Sequence, residues 1–469
     1  MAFPIELPNL YNFDIYPKVV CAGKPVHMTI RALGSRQQFV PGTRYQLTVK
    51  ASTGGKPEYY PATSRYETLD VECSAEGGFE FDYTFSKEQE YYIDIFYIDR
   101  RGNNVKERFN VYCVESDLAG KYPFIGDLHI HSDCSDGSQD PETVVANYRK
   151  HGYDFIAVTD HRRYYPSLRA RKLISEVPTE LNVLPGEEVH IPRVHDCFIE
   201  PHIVNVGGSY SVNAIVPRDD VEEIALDPKN RSLDGNCPKV MTKEEYEAVI
   251  DKTADSLDIP EDVDRITAGG VKWVFDEIRR AGGLAIYAHP TWIPDTFHVP
   301  DAVQKFIVDN DMFDAFEVLG GENYFEQNGF QTVQYYEDKA RGKRYPVVGS
   351  TDSHNSTPLN RNAYICSTIV FAEKNELKCL IDAIKDFKSV AVDTISKEFR
   401  LVGEMRLVRY GCFLLRNYFP LHDEFCYEEG RMLKQYYTGT EEEKAEARRV
   451  LEALYGRIAK MQKKYFDFD

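Results

Sequence analysis

The sequence has no long apolar run, no internal repeat and no CxxC pair of cysteines. A transmembrane helix needs about 18 uninterrupted apolar residues, so we expect no membrane span. The first residues also lack a basic stretch followed by an apolar one, so we expect no secretory signal peptide. The ten cysteines are scattered singly along 469 residues. This usage is typical of reduced cytosolic thiols and disfavours zinc fingers and thioredoxin-type sites.

Positively charged residues are fewer than negatively charged ones. The chain has 56 Lys and Arg against 75 Asp and Glu, which gives a formal net charge of −19. Such an acidic field repels nucleic-acid backbones and anionic membranes. With 42% hydrophobic and 28% charged residues, the composition is that of an ordinary globular protein. We therefore expect a cytoplasmic protein that binds a small molecule and neither nucleic acid nor membrane, in an oligomeric state that the sequence leaves open.

The pattern of residues changes twice along the chain. Residues 1–118 contain short alternating runs separated by Gly- and Pro-containing turns, which predicts a β-sandwich. Residues 119–395 alternate short apolar strands with helices, around a polar insertion at about 207–270. Seven strands of this type predict a barrel or a parallel sheet. Residues 396–469 have a helical pattern, including one amphipathic helix over 441–464.

Metal-ligating side chains follow many of the predicted strands. His129 and His131 are two residues apart on extended backbone, so their imidazoles point to the same face. Further ligand types follow other strands: Asp136, Asp160, His161, Glu187, Glu188, His202, His289, Asp352 and His354. Because the carboxyl ends of barrel strands share one face, we expect these groups to converge. Imidazole and carboxylate without thiolate suit Zn, Mn or Fe. Their number exceeds the needs of one ion, which favours two or three divalent ions bridged by a carboxylate.

Each motif also has a purely structural interpretation when taken alone. The His129–His131 pair could lie on the surface, Asp160 could cap a helix, and Asp352 could belong to a turn. Their order and their placement at strand ends favour the metal site. Cys134 is interpreted as a small buried filler, with metal contact as the alternative. Three histidines are interpreted as loop residues, with a substrate role as the alternative: His190, His195 and His298.

Six motifs carry a resemblance to a known family. They are Asp-Leu-His-Ile-His-Ser at 127–132, Ser-Asp-Gly at 135–137, Thr-Asp-His at 159–161, Pro-Gly-Glu-Glu at 185–188, Ala-His-Pro at 288–290 and Thr-Asp-Ser-His at 351–354. In this order, over residues 125–395, the sequence resembles the polymerase and histidinol phosphatase (PHP) family of metal-dependent hydrolases. The resemblance implies an α/β fold, a distorted (β/α)7 barrel with a trinuclear metal site. The β-sandwich would precede this barrel and the helical extension would follow it.

The resemblance also implies which residues hold each ion. The ligands of the first would be His129, His131, Glu188 and Asp352. Those of the second would be Glu188, His202 and His289, and those of the third Asp136, His161 and His354. The family spacing Gly-x-Glu selects Glu188 over Glu187. Three residues are predicted to act in catalysis: Asp160, His161 and Arg162. Asp160 would either orient a metal ligand or protonate the leaving group.

Four functions remain open at this point. The leading hypothesis is a phosphoesterase, in which a metal-bridging hydroxide attacks a small phosphorylated substrate. Arg162 and Arg163 favour an anionic substrate unless both are simply solvated. A carboxyl- or carbamate-ester hydrolase is the second hypothesis, favoured by the appended β-domain and by any apolar cavity that holds Tyr287 and Trp292. A nuclease would need a basic groove beside the metals, and a non-catalytic metal-stabilised binding protein is the last possibility.

Overall fold

The structure is a computed structural model of the chain. It describes residues 8–34, 39–53, 66–99, 101–191, 201–219, 221–321, 324–357, 366–394 and 400–468. The chain divides into two compact units. The first unit comprises Met1–Tyr122, Val408–Phe425 and Gly456–Asp469, and the second comprises Pro123–Leu407 and Cys426–Tyr455. The predicted C-terminal segment therefore contributes residues to both units.

The described residues form strands and helices throughout. The strands are β1 Phe13–Tyr16, β2 Val19–Cys21, β3 Pro25–Ala32, β4 Arg44–Ala51, β5 Tyr66–Glu72, β6 Gly78–Thr84, β7 Gln89–Ile98, β8 Asn104–Val114, β9 Tyr122–Ile130, β10 Phe155–Val158, β11 Asn182–Leu184, β12 Gly186–Val189, β13 Ile203–Val206, β14 Leu284–Tyr287, β15 Ala315–Leu319, β16 Val347–Gly349, β17 Cys366–Ala372, β18 Ser389–Asp393, β19 Arg400–Gly403 and β20 Phe466–Asp467. The α-helices are α1 Pro8–Asn12, α2 Pro141–Lys150, α3 Tyr165–Glu176, α4 Glu223–Leu226, α5 Pro228–Arg231, α6 Lys243–Asp255, α7 Arg265–Arg280, α8 Asp301–Asp309, α9 Tyr324–Ala340, α10 Leu377–Lys385, α11 Met405–Asn417, α12 Phe419–Thr438, α13 Glu441–Leu454 and α14 Arg457–Tyr465. Within the described ranges, no helix is both long and apolar enough to span a bilayer.

The first unit contains two sheets that share one apolar core. One sheet has the order β1-β3-β6, and the other has the order β20-β2-β8-β7-β4-β5. Strand β3 shows why these residues form a half-buried sheet, because Val26, Met28 and Ile30 are buried while the residues between them are more exposed. Those side chains share a core with Leu47 and Ile93 of the second sheet. A two-layer β-structure, as predicted for residues 1–118, follows from this shared core.

The second unit is a mixed α/β structure with two further sheets. Their orders are β11-β10-β9-β17-β18-β19 and β12-β13-β14-β15-β16. The neighbours β9, β10 and β11 are parallel, and so are β14, β15 and β16. Strand β13 is antiparallel to both of its neighbours, and β18 is antiparallel to both β17 and β19. The sequence predicted a barrel or a parallel sheet. The strands of this unit instead form two mixed sheets, because antiparallel neighbours such as β12 and β13 need no crossover helix.

Neither sheet of the second unit closes on itself within the described residues. Two isolated parallel bridges lie at the strand ends, one between Ile130 and Ser353 and one between His161 and Glu188. These bridges bring the end of β9 beside the segment after β16, and the end of β10 beside β12. The strand ends that carry the ligand-type residues are thereby held together.

The helical predictions were right in kind and inaccurate in extent. Helix α6, in the insertion at 207–270, begins after Thr242, whose hydroxyl accepts from Glu245 N–H in a capping box. The single amphipathic helix predicted over 441–464 is instead two helices, α13 and α14. They are separated at Gly456, whose φ of 80° ends the helical path.

Candidate metal centre

Strand β9 and the segment after β16 position the first group of side chains. Asp127, buried in β9, accepts hydrogen bonds from the Thr351 hydroxyl at 2.6 Å and from the Thr351 and His129 N–H groups at 3.1 Å. Burial raises the pKa of Asp127 to about 7. In addition, Asp352 N–H donates to the His129 carbonyl at 2.9 Å. These bonds fix the backbone of His129 against that of Asp352.

The carboxylate of Glu188 lies at the middle of the site and is fully buried. Each of its oxygens faces a different set of imidazoles. Oε2 lies 2.6 Å from His161 Nδ1, 3.3 Å from His129 Nε2 and 3.4 Å from His131 Nε2. Oε1 lies 2.7 Å from His202 Nδ1 and 3.3 Å from His289 Nε2. Burial alone would raise the pKa of Glu188, but the surrounding imidazoles, His161 first, hold it well below its usual range.

Asp352 completes the first group. Its Oδ1 lies 2.9 Å from His131 Nε2 and 3.3 Å from His129 Nε2. Possible ligand atoms of His129, His131, Glu188 and Asp352 all lie within 4.8 Å of one another, and all four residues are buried. The structure thus brings together the four residues of the first predicted ligand set.

Asp136 is the most exposed member of the site, with its side chain 54% exposed. Its Oδ2 lies 3.3 Å from both His161 Nε2 and His354 Nε2, and its Oδ1 lies 3.8 Å from His131 Nδ1. Gly137 lets this turn approach β9, because a Cβ at that position would lie 2.8 Å from the His131 backbone. The third predicted set therefore also meets in space, with His131 added to it.

The donor set fits divalent cations. In the described part of the chain, the buried atoms of the site without a hydrogen-bond partner include His129 Nε2 and His131 Nδ1. A buried polar atom without a partner costs about 1–3 kcal/mol, so such a group of atoms calls for a bound partner. Imidazole and carboxylate donors at this spacing suit Zn, Mn or Fe.

These residues come from motifs spread over more than 200 positions, and they meet in groups that contain the three sets implied by the resemblance. The chain resembles the PHP metal-dependent hydrolases. No family model matches it.

Solved structures similar to this PHP-like chain are distant in sequence. One is a two-domain protein containing a predicted PHP-like metal-dependent phosphoesterase from Bacteroides vulgatus, at 17% identity and a TM-score of 0.41 over 63% of this chain and 71% of that chain. A putative metal-dependent phosphoesterase from Bifidobacterium adolescentis is 17% identical, with a TM-score of 0.31 over 50% of this chain and 89% of that chain. An amidohydrolase from Chromobacterium violaceum is 17% identical, with a TM-score of 0.30 over 49% of this chain and 87% of that chain.

A curated relative matches a short part of the sequence. The chain is 38% identical over 68 residues to the 5'-3' exoribonuclease Rnm of Salmonella typhimurium. The match covers 14% of this chain and 23% of that protein, so the chain spans less than a quarter of the length of the relative.

Glu187 and Glu188 follow β11 and lie in β12, and their environments differ. Adjacent strand residues point to opposite faces, so only one of the two can face the histidines. Glu187 is buried and accepts hydrogen bonds from Ser211 Oγ and Val212 N–H, each at 2.6 Å, and from Asn205 Nδ2 at 3.1 Å. It belongs to none of the candidate metal groups among the described residues.

Asp160 is buried beneath the turn that leads to Asp136. It accepts hydrogen bonds from Ser132 N–H at 2.9 Å, from Ser132 Oγ at 2.7 Å and from Ser135 Oγ at 2.6 Å. Burial raises the pKa of Asp160, and the serine donors oppose that rise. These contacts favour the predicted orienting role over proton donation. Cys134, in the same turn, is partly exposed rather than buried, and its Sγ lies 3.4 Å from Arg169 Nη1.

Two residues of the site were not assigned to it from the sequence. Glu317 lies inside β15, with its Oε2 3.0 Å from His129 Nδ1, and its Oε1 accepts from His289 N–H at 3.1 Å. An acid in the middle of the buried strand Ala315–Leu319 was the available signal. His190 places Nε2 2.8 Å from His161 Nδ1. Its position two residues after Glu188, which predicts the same face of an extended strand, was the available signal.

Arginines lie beside the PHP-like centre. Arg162 has a φ of 60°, and its N–H donates to the Glu188 carbonyl at 2.8 Å. Arg163 is not simply solvated, because Nη2 lies 2.6 Å from Glu222 Oε1. One small cavity, of about 20 Å³, has four arginines among its lining residues: Arg162, Arg163, Arg218 and Arg231. The protein is acidic as a whole, but the surroundings of this cavity are locally basic.

Aromatic residues flank another side of the centre. The ring of Trp292 lies 5.7 Å from that of His202, 5.9 Å from that of His289 and 5.1 Å from that of His298. Tyr287, in contrast, is fully buried among core aromatic residues and does not line the site. His195 lies outside the described residues. An apolar cavity that holds both residues would have favoured a carbon-ester hydrolase; of the two, Trp292 lies beside the imidazoles and Tyr287 does not.

Proposed function

We propose that this chain is a PHP-like hydrolase that uses divalent metal ions to cleave a phosphoric ester of a small phosphorylated substrate. The observation that carries the proposal is the placement of Glu188, whose two oxygens face two separate sets of imidazoles. A carboxylate in that position is suited to bridge two ions. Bound divalent ions would supply a nucleophile from water near neutral pH and act as Lewis acids on the ester oxygens.

The proposed ligands are those that the geometry groups together. One ion would be held by His129, His131, Glu188 and Asp352, and a second by Glu188, His202 and His289. A third would be held by the half-exposed group of His131, Asp136, His161 and His354. Zn, Mn and Fe all suit these donors. We also infer that the two sheets of the second unit form a distorted barrel, because the two isolated bridges join their strand ends.

Other residues of the chain position these ligands. Glu317 accepts from His129 through Nδ1, which leaves Nε2 of the same ring directed at Glu188 and Asp352. Such a carboxylate fixes the ring orientation and the tautomer of a ligating histidine. Asp160 holds the turn before Asp136 through its three serine hydrogen bonds. We infer that both carboxylates act through the ligands rather than on the substrate.

The arginine-lined cavity supports an anionic substrate. Arg162 directly follows His161, and its backbone is hydrogen-bonded to that of Glu188. Guanidinium groups recognise phosphate through paired N–H donors. Glu222, which binds Arg163, also lines the cavity. Four arginines against one glutamate make the lining of this small cavity basic, which suits an anionic group nearby.

A second candidate function is a carboxyl- or carbamate-ester hydrolase that uses the same centre. The observation in its favour is Trp292, whose ring lies beside His202 and His289 and could contact an apolar acyl group. The chain also has a short match to an exoribonuclease, an enzyme that cleaves RNA phosphodiesters. A short RNA is therefore one further phosphate-ester substrate to test.

The test combines metal analysis with a panel of esters. Purified protein would be assayed for bound metal, then with added Mn or Zn on p-nitrophenyl phosphate, bis-p-nitrophenyl phosphate, p-nitrophenyl acetate and a short RNA. Turnover of a phosphate ester by metal-loaded protein, absent from the Asp352→Ala variant, supports the proposal. Turnover of the acetate alone favours the second candidate. Metal-loaded protein that cleaves none of these esters, or phosphate turnover retained in Asp352→Ala, contradicts the metal-hydrolase assignment.

A further inference from the structure

A cavity of about 330 Å³ lies within the first unit, among residues that the proposed hydrolase function does not involve. This volume is within the range of small-molecule sites. Its apolar wall is formed by Leu10, Phe13, Ile15 and Phe109. All four of these side chains are buried. The wall is large enough to cover a short hydrocarbon chain.

The polar wall of the same cavity contains a buried lysine. The side chain of Lys18 is only 2% exposed. In the described ranges its ammonium contacts the ring of Tyr465 at 4.8 Å, and no carboxylate oxygen lies within 4 Å of it. A buried charge without a counter-charge is costly, and lysine is almost never fully buried unless it is paired. Asp14 attracts this ammonium electrostatically but forms no ion-pair contact with it. An anion entering the cavity would supply a direct counter-charge.

The acidic side chains around the cavity are already bound by other cations. Asp94 forms ion pairs with Lys50, Lys106 and Arg108 at 2.7–3.2 Å. Glu90 forms one with Arg416, whose Nη2 lies 2.8 Å from it, and Arg416 also lines the cavity. Asp14 accepts from the Lys464 ammonium and, at 3.0 Å, from the Tyr465 hydroxyl. Lys18, Arg108 and Arg416 line the cavity, and no acidic residue of the described ranges lines it, so its polar wall is basic.

We propose that this cavity of the first unit binds a small amphipathic anion, a carboxylate with a short hydrocarbon tail. The carboxylate would lie against Lys18 and Arg416, and the tail against Leu10, Phe13, Ile15 and Phe109. An anion without a tail would leave the apolar wall uncovered, and an uncharged tail would leave Lys18 without a counter-charge. The site is chemically distinct from the metal centre, so it extends the function of the protein beyond ester hydrolysis.

The test uses full-length protein and saturation-transfer NMR with hexanoate as the probe. Hexanamide has the same tail without the charge, and inorganic phosphate has charge without a tail. We expect hexanoate to bind at least tenfold more tightly than hexanamide, and phosphate not to displace it. Equal binding of hexanoate and hexanamide, displacement of hexanoate by phosphate, or no binding of hexanoate, would overturn the proposal.

Variants locate the binding. Lys18→Met should weaken hexanoate binding at least tenfold, whereas Lys87→Met, an exposed lysine of the same unit, should leave it unchanged. Leu10→Trp should block the cavity while keeping the ammonium, and near-UV circular dichroism verifies that each variant is folded. Hexanoate binding that persists in folded Lys18→Met and Leu10→Trp proteins would place the anion elsewhere and refute the site. The comparison of hexanoate with hexanamide on the unaltered protein tests the charge requirement even if a variant fails to fold.

Discussion

Glu317 Oε2 lies 3.0 Å from Nδ1 of His129, in a contact that joins β15 to β9. Because Nδ1 of His129 contacts Glu317, the other ring nitrogen, Nε2, faces Glu188 and Asp352. The other oxygen of Glu317 accepts from the His289 N–H. One buried carboxylate therefore aligns a residue from each of the two ligand sets that meet at Glu188.

Replacing Glu317 should weaken metal binding without destroying the ligand set. We expect Glu317→Gln to lower metal affinity by about 10–100-fold, as for other carboxylates that orient a ligating histidine. Competition with a chelator measures this change. Glu326→Gln, an exposed position of α9, is the matched control. Unchanged affinity in folded Glu317→Gln protein would show that the carboxylate does not orient His129.

The adjacent residues Glu187 and Glu188 should have opposite effects. Glu188→Gln should reduce bound metal and lower kcat/KM by at least about 100-fold, because it removes the carboxylate between the two imidazole sets. Metal content and ester turnover measure these changes. Equal metal loss in Glu187→Gln would contradict the assignment.

Glu187→Gln should instead lower stability. Both oxygens of Glu187 accept hydrogen bonds, and an amide nitrogen cannot accept one. We expect a loss of about 1–3 kcal/mol in the free energy of unfolding. Urea unfolding followed by tryptophan fluorescence is a direct measure, because Trp273 and Trp292 both belong to the second unit.

The Asp160→Asn variant distinguishes two possible roles of Asp160, which are to orient the turn before Asp136 or to donate a proton to the leaving group. The structure predicts a loss of about tenfold in kcat, through displacement of the turn before Asp136. The loss should be the same for p-nitrophenyl phosphate and for an alkyl phosphate. A general acid would instead matter most for the alkyl leaving group, which needs the proton. A markedly larger loss on the alkyl ester would therefore restore the general-acid role of Asp160.

Arg162→Ala should raise KM for p-nitrophenyl phosphate about tenfold and leave KM for p-nitrophenyl acetate unchanged. Arg162→Gly should behave identically, because glycine adopts the φ of 60° without strain and so isolates the side chain. Arg169→Ala is the control, since Arg169 is exposed and pairs with Glu142. Equal changes on both esters would show that Arg162 does not recognise the charge of the substrate.

Lys18 should make the stability of the protein depend on pH. Burial, partly offset by Asp14, lowers the pKa of Lys18 to about 8 from 10.5. Between these values the unfolded chain binds more protons than the folded one, so stability rises with pH from about 8 to 10.5, and below about 8 it stays at its lower level. Near neutral pH the lowered pKa of Lys18 reduces the free energy of unfolding by about 3 kcal/mol.

The measurement for Lys18 is urea unfolding by circular dichroism at several pH values. Lys18→Met should be more stable than the unaltered protein at pH 7, by an amount that shrinks toward pH 10.5. Subtracting the two curves removes the titration of the other groups. A stability difference that does not vary with pH would contradict a lowered pKa for Lys18.

The residue types and their spacing determined much of the candidate site. The pair at 129 and 131, and the acids and histidines after later strands, were sufficient to predict a cluster, because side-chain direction along a strand is fixed by its period of two. The same rule, applied to 188 and 190, would have placed His190 beside His161. The β-pattern of residues 1–118 was sufficient to predict a two-layer structure, because alternation reports a half-buried sheet.

Tertiary structure decided what depends on contacts between distant segments. The direction of β13 is set by its neighbours, and no local pattern distinguishes parallel from antiparallel pairing in so short an apolar strand. Local sequence does not reveal that Ser132 and Ser135 donate hydrogen bonds to the Asp160 carboxylate, or that Glu317 faces His129. The cavity around Lys18 likewise combines residues from α1, β1, β8 and α11. A residue able to bind a metal can be recognised from its own segment of sequence. The partner of a buried charged group depends on how distant segments pack together.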